Sequence, residues 1–260
     1  RRCLSYDMQG LSYREYMIMY HNIHLPMVSL SDILHNSVAI CEEVNKLCRP
    51  LEHFTHYLQQ GYYPFGAEGF ATYNQRVENT VELLLNIELP QLRKVDIGNI
   101  RKLKALLSVL ASEVPMLVDT AKLSTLLGIS RNTLLAYLEY LDEAKLIKRL
   151  YSDDLSVKKM QKPDKILMDN CNLLKVLALK EPNIGTLRET FFCNQLGYQH
   201  QVEYSKQGDF LIDHQITFEI GGQAKEGKQV AAIENAYIVA DEIEYSYGNK
   251  LPIWLFGLLY

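Results

Sequence analysis

Hydrophobic positions recur at helical spacing through most of the first 145 residues, then give way to short apolar runs at strand spacing. Leu11-Ser12-Tyr13-Arg14-Glu15-Tyr16 places S-x-x-E ahead of an apolar stretch. That is a capping box, in which the Ser12 hydroxyl and the Glu15 carboxylate satisfy free amides at a helix start. The period continues over 37–48 and 51–59, on either side of Pro50, which cannot sit inside a helix. Gly61 and Pro64 end the second of these, and Val77, Val81, Leu84, Leu85 and Ile87 predict a further helix over 72–88. Three more helices are predicted over 99–112, 120–127 and from a Ser130 cap to about Ala144, with Gly128 between the last two. Strands follow at Leu146–Tyr151 and Lys165–Met168, separated by a polar stretch, 152–163. Helix, helix, glycine-containing turn, helix and hairpin is the winged helix-turn-helix order.

The last hundred residues read as a helix over 186–196 and strands at 201–205, 208–212, 216–220, 236–240 and 252–258, with Asp213-His214-Gln215 as a turn. Strands mixed with helices make the fold class α+β: a helical bundle, a winged helix-turn-helix, then a small α/β domain. The apolar run 252–260 is too short to span a bilayer and reads as a buried strand.

With 48% hydrophobic and 22% charged residues among 260, the chain can bury a real core. A formal net charge of −4 excludes a protein that is basic throughout but leaves local basic patches open. No apolar run reaches membrane-spanning length and no hydrophobic signal segment opens the chain, so the expectation is a cytoplasmic protein with no membrane partner. Cys3, Cys41, Cys48, Cys171 and Cys193 are odd in number, widely spaced and without C-x-x-C, which predicts reduced thiols rather than a zinc site or disulfides. Between Ile97 and Leu150 eight Lys or Arg face five Asp or Glu, a net of +3. A DNA-binding reading puts Ser130, Arg131, Asn132 and Thr133 at the groove end of the recognition helix and Lys148, Lys158 and Lys159 on phosphates. Against it, that helix carries Glu139, Asp142 and Glu143 and a single cation, Arg131. The competing reading is a winged helix that contacts protein or mediates self-association. Glu52, His53 and His56 lie close on one helix without an apparent third ligand and read as a surface cluster.

Four stretches together resemble bacterial and archaeal AAA-type ATPases that carry a winged helix and a C-terminal domain related to restriction endonucleases. Leu11–Tyr16, just after Arg1-Arg2, resembles the LSFREF segment that follows the ATPase core of that family. Phe54-x-x-Tyr57-Leu58-x-x-Gly61-Tyr62-Tyr63-Pro64 resembles its FxxYLxxGGxP lid segment, with Tyr62 for the second glycine. Lys165-Ile166-Leu167-Met168-Asp169-Asn170 resembles its K-I-Y segment ending near an aspartate. Glu189-Thr190-Phe191, Gly208-Asp209-Phe210 and Phe218-Glu219-Ile220 follow its order E-(N/T)-F, E-V-D-F, E-V-K. The resemblance implies three modules: a helical lid over 1–95, a winged helix over 96–155 and a restriction-endonuclease-like domain over 156–260. No G-x-x-x-x-G-K-[ST] phosphate loop occurs, so ATP and Mg²⁺ are expected of an intact parent protein, with no cofactor in this chain. The chain is then expected to be the C-terminal regulatory and substrate-contacting part of that ATPase.

In nucleases of the implied fold an Asp at one strand end and E-x-K on the next hold Mg²⁺ and place a lysine at the reacting phosphate. Asp209 and Glu219 take the carboxylate positions, with Glu189 as a third. Gly221 stands where the lysine belongs, so the expectation is a degenerate cleft without catalysis that holds Mg²⁺ at most weakly through Asp209 and Glu219. The alternatives carried forward are a DNA-binding winged-helix regulator and a Mg²⁺-dependent nuclease.

Overall fold

The computed structural model describes residues 8–93, 97–152 and 162–260. The protein is α+β, with two separate sheets. Helices α1 (Tyr13–His21), α2 (Leu30–Leu47) and α3 (Pro50–Gln60) open the chain. The capping box of α1 forms as the sequence predicts: Ser12 N donates to Glu15 Oε2 over 3.0 Å and Glu15 N donates to Ser12 Oγ over 3.2 Å. Helix α2 begins seven residues earlier than its apolar period suggests, because Ser29 and Asp32 form a second box. Its buried positions Leu30, Ile33, Ser37, Ile40, Cys41 and Val44 keep to one face. Helix α4 (Tyr73–Leu83) runs through a π-helical turn at Leu84–Glu88 into α5 (Leu89–Arg93).

Next come α6 (Ile97–Glu113), β1 (Met116–Leu117), α7 (Thr120–Leu127), α8 (Arg131–Glu143), β2 (Ile147–Leu150) and β3 (Lys165–Met168). Gly128 closes α7 in the left-handed conformation at φ 59°, which a residue without Cβ adopts at no steric cost. The two-residue β1 is too short to carry a period; β3 pairs antiparallel with both β1 and β2 in the order β1-β3-β2. This small sheet therefore joins residues on both sides of position 155.

Helices α9 (Cys171–Leu177) and α10 (Ile184–Leu196) lead into a five-stranded sheet of β4 (Val202–Tyr204), β5 (Phe210–Ile212), β6 (Ile216–Gly221), β7 (Ala236–Ala240) and β8 (Lys250–Pro252). The first three strands are antiparallel, and β6, β7 and β8 are parallel. Asp213 and His214 both take positive φ, 50° and 59°, the twist that a tight β5–β6 turn needs. Phe192 on α10 packs on Phe210, Phe218 and Phe256, so this face of the sheet is apolar.

Residues 253–258 are not a strand. They form a 3-10 helix, Ile253–Leu258, buried on all sides. Burial also explains the misreading, since a short continuous apolar run marks a fully enclosed element without fixing its period. The 3-10 segment packs against α1, α2, α3 and α10. A Cβ on Gly257 would stand 2.4 Å from Tyr13 Cβ, so the two segments meet at backbone distance. One continuous core therefore runs from α1 through the small sheet to β8. No helix among the described residues is long and apolar enough to cross a membrane.

Candidate functional site

The β5–β6 hairpin brings the two predicted carboxylates together. Phe210 pairs with Phe218, and Asp209 and Glu219 are their neighbours on the two adjacent strands. Asp209 N donates to Phe218 O over 2.9 Å, and Asp209 Oδ2 accepts from Ile220 N over 2.7 Å. Asp209 thus ties the strand ends with one oxygen. Glu219 is 2% exposed. Its Oε1 meets Lys225 Nζ at 2.8 Å, while its Oε2 is buried with no hydrogen-bond partner among the described residues.

The expectation that no lysine reaches this pocket does not hold. Gly221 indeed lacks the side chain, but the stem of Lys225 lies where one would be: a Cβ on Gly221 would meet Lys225 Cγ at 2.7 Å and Cδ at 2.8 Å. The loop after β6 folds back over the glycine and delivers an ammonium to the carboxylate from four residues further on. The spacing pattern E-x-K could not reveal this, because the lysine arrives through a loop and not along the strand.

Glu189 on α10 is the third member. Burial pushes its carboxyl above the ordinary carboxylate range, Lys165 pulls it back through an ion pair, Asp209 pushes it up further and Lys225 opposes that. Lys165, on β3 of the small sheet, is 7% exposed, and its ammonium lies 5.1 Å from the centre of the Phe210 ring as well as on Glu189. Three carboxylates and two ammoniums therefore share one region, held by α10, the β5–β6 hairpin, the following loop and β3. Asp209 and Glu219 suit a hard divalent cation by donor type, and the orphaned Glu219 oxygen leaves capacity for one. Among the described residues no three His, Cys, Asp or Glu side chains converge to hold a metal ion, so such an ion would rest on these two carboxylates.

The predicted DNA-contacting residues separate. Ser130 and Thr133 are spent on capping α8, with Thr133 N donating to Ser130 Oγ over 3.1 Å and the two hydroxyls 2.8 Å apart. Arg131 and Asn132 are exposed on the first turn. Lys148 turns toward the C-terminal module, where its Nζ lies 3.7 Å from the position of a Cβ on Gly197. Lys158 and Lys159 lie outside the described residues. Other cations of this region have partners within the chain: Lys102 donates to Gly128 O over 3.0 Å, Lys104 meets Glu82 at 2.5 Å and Arg149 meets Asp142 at 3.0 Å. A cleft of about 360 Å³ beside α3, lined by Leu51, Phe54, Leu187 and Asp241 among others, includes none of the three carboxylates.

The histidine cluster gains a member. Tyr16 Oη lies 2.7 Å from His56 Nδ1 and 3.2 Å from His21 Nε2, and the His21 and His53 rings are 4.1 Å apart. Sequence spacing on one helix could not supply His21, which comes from α1.

Fold and site define an α+β protein with a lysine-paired carboxylate cluster at a strand–hairpin junction. The chain belongs to the family described as Domain of unknown function (DUF8612), which it matches over residues 51–183, from α3 to the loop before α10. Glu189, Asp209, Glu219 and Lys225 thus lie beyond the matched residues, whereas Lys165 lies within them. An uncharacterized protein of Methanocaldococcus jannaschii, MJ1637, is 25% identical over 288 aligned positions, covering 100% of this chain and 60% of that protein. The chain therefore spans 60% of the length of the curated relative it matches. No solved structure matches it.

Proposed function

We propose that the C-terminal module is a divalent-cation-dependent phosphodiester-cleaving site, carried by the substrate-contacting part of a longer AAA-type ATP-binding protein. The observation that supports catalysis is Lys225 on Glu219 at 2.8 Å, with its stem over Gly221. A missing lysine was the ground for reading the cleft as degenerate, and Lys225 removes that ground. Asp209 and Glu219 would hold Mg²⁺, which when bound supplies charge neutralisation and an acidified water. Asp209 is anchored to the strand that carries Glu219 through the Ile220 amide. Lys225 keeps a proton and a positive charge beside Glu219, where they would oppose charge building on a phosphoryl oxygen. Lys165 balances Glu189, so the third carboxylate does not add a full uncompensated charge. The parent-ATPase part of the reading rests on the ordered motifs in the sequence and on a relative that extends well beyond the match. The winged-helix part rests on the helix order and the exposed first turn of α8.

The test is cleavage of single-stranded and plasmid DNA by the full chain with Mg²⁺ or Mn²⁺. Glu219→Gln and Lys225→Ala should each lower the rate by about 100-fold while the circular dichroism spectrum stays native. No cleavage with either metal, or cleavage indifferent to both substitutions, would overturn the reading.

A further inference from the structure

A second cavity, of about 150 Å³, lies between the small sheet and the C-terminal module. Its lining includes Lys145, Lys148, Asp169, Asn194, Gly197 and Tyr198. The recess is separate from the carboxylate cluster, since Glu189, Asp209 and Glu219 do not line it. We propose that it binds one tetrahedral oxyanion, a phosphate group, between Lys145 and Lys148.

Several observations carry this. The two lysines reach the recess from one turn: Lys145 takes φ 55° just after α8, and Lys148 stands on β2. Their charges converge on a space with room for one oxyanion and a few waters, at roughly 30 Å³ per water. The opposite wall is fixed. Asn194 Nδ2 donates to Asp169 O over 3.0 Å and to Tyr62 Oη over 3.2 Å, so its amide braces the wall. Asp169 is the one carboxylate in the lining among the described residues, and burial raises its carboxyl to about 6, against the opposing Asn170 hydrogen bond and the pull of Lys148 and Lys145. Protonation of Asp169 therefore removes one negative charge from the wall of the recess. Asp169 closes the motif that Lys165 opens, and unlike Lys165 it stands outside the carboxylate cluster.

Among the described residues, Asp142, Cys193, Tyr63 and Tyr260 also stand near Asp169, and Tyr198 lines the recess. Burial pushes the Cys193 thiol up to about 12 and holds the Tyr63 and Tyr260 phenols far above neutrality, so none of these three changes charge between pH 5 and pH 8. Asp169 is thus the group whose charge gates the recess in that range.

Sulfate is the probe, because it stays dianionic throughout that range. Its binding to the full chain, measured by calorimetry at fixed ionic strength, should be about tenfold tighter at pH 5 than at pH 8. Asp169→Asn should bind at pH 8 as the unaltered chain binds at pH 5, with the pH dependence gone. Lys148→Met should abolish binding. Two further arms separate the sources of the group. Weaker binding of an oligonucleotide by Lys148→Met assigns a nucleic-acid backbone, whereas competition by inorganic phosphate without an oligonucleotide effect assigns a free phosphorylated metabolite. Sulfate binding that ignores Lys148→Met, or that is the same at both pH values and in Asp169→Asn, would overturn the proposal. DNA cleavage does not enter these readouts, so the recess and the carboxylate cluster stand or fall separately.

Discussion

At the seam where α3 and α4 meet α9, Asn172 is fully buried and uses its whole amide. Its oxygen accepts from Tyr62 N over 2.8 Å and from the Tyr73 hydroxyl, and its nitrogen donates to Leu58 O over 2.9 Å and Tyr57 O over 3.3 Å. Glu219, nearly as buried, meets one lysine and leaves an oxygen orphaned. Both residues are polar groups inside one continuous core, yet the first is satisfied by three backbone groups and a buried hydroxyl and the second by a loop lysine that is a third exposed. Satisfied neutral networks specify packing. An incompletely satisfied buried charge adds little stability and persists where the chemistry uses it. The contrast is an energetic argument, independent of motif, that the carboxylate cluster serves a purpose other than holding the fold.

The largest expected effect breaks the seam. Asn172→Ala strands the amide of Tyr62 and the hydroxyl of Tyr73 without water, at a cost of about 3–5 kcal/mol. Urea unfolding should show this as a lower midpoint at unchanged slope. A loss below about 1 kcal/mol would mean that water enters the seam and that the contrast with Glu219 is false.

The opposite substitution sharpens it. Glu219→Gln keeps the shape, leaves Lys225 free to reach solvent and removes a buried charge that is only half satisfied. Its expected effect on stability is within about 1 kcal/mol of zero in either direction, far less than for Asn172. If the same unfolding measurement gave a loss above about 3 kcal/mol, the Glu219–Lys225 pair would be a structural bridge.

The sequence showed some of this directly. Capping residues gave the start of α1, the end of α7 and the start of α8, because a cap is a local device whose partner lies a few residues away. Asp209 and Glu219 were legible as a pair because one tight turn separates their strands. Lys165 and His21 were not legible as site members, since each reaches its partner across elements distant in sequence, and Lys225 was not because its loop folds back over Gly221. Lys225 also arrives where a glycine had removed the expected cation, so a reading by position saw a gap that tertiary folding fills. Ile253–Leu258 failed for a different reason, as a segment with no polar face carries no period to read.

The smallest effect belongs to the solvent edge of the seam, where α1 and α3 present His21, His53 and His56 around Tyr16. Burial lowers the imidazoles of His21 and His56, and the neighbouring His53 lowers both further. For a base whose value in the folded chain is depressed, the unfolded chain takes up protons first. Stability is then fully present above the ordinary histidine range near 6.5 and falls as pH drops through the lowered folded values. His53→Gln removes a positive neighbour from both rings without touching the Tyr16 hydrogen bonds. Acid unfolding should therefore begin at a lower pH in His53→Gln, by a few tenths of a unit, because these rings are largely in water and the repulsion is screened. Stability at pH 8, where the imidazoles are neutral, should not change. An unchanged acid limb would mean that the three rings do not repel one another when protonated. A loss at pH 8 would show instead that the His53 ring packs against His21 as an apolar surface, and the cluster would then belong with the seam.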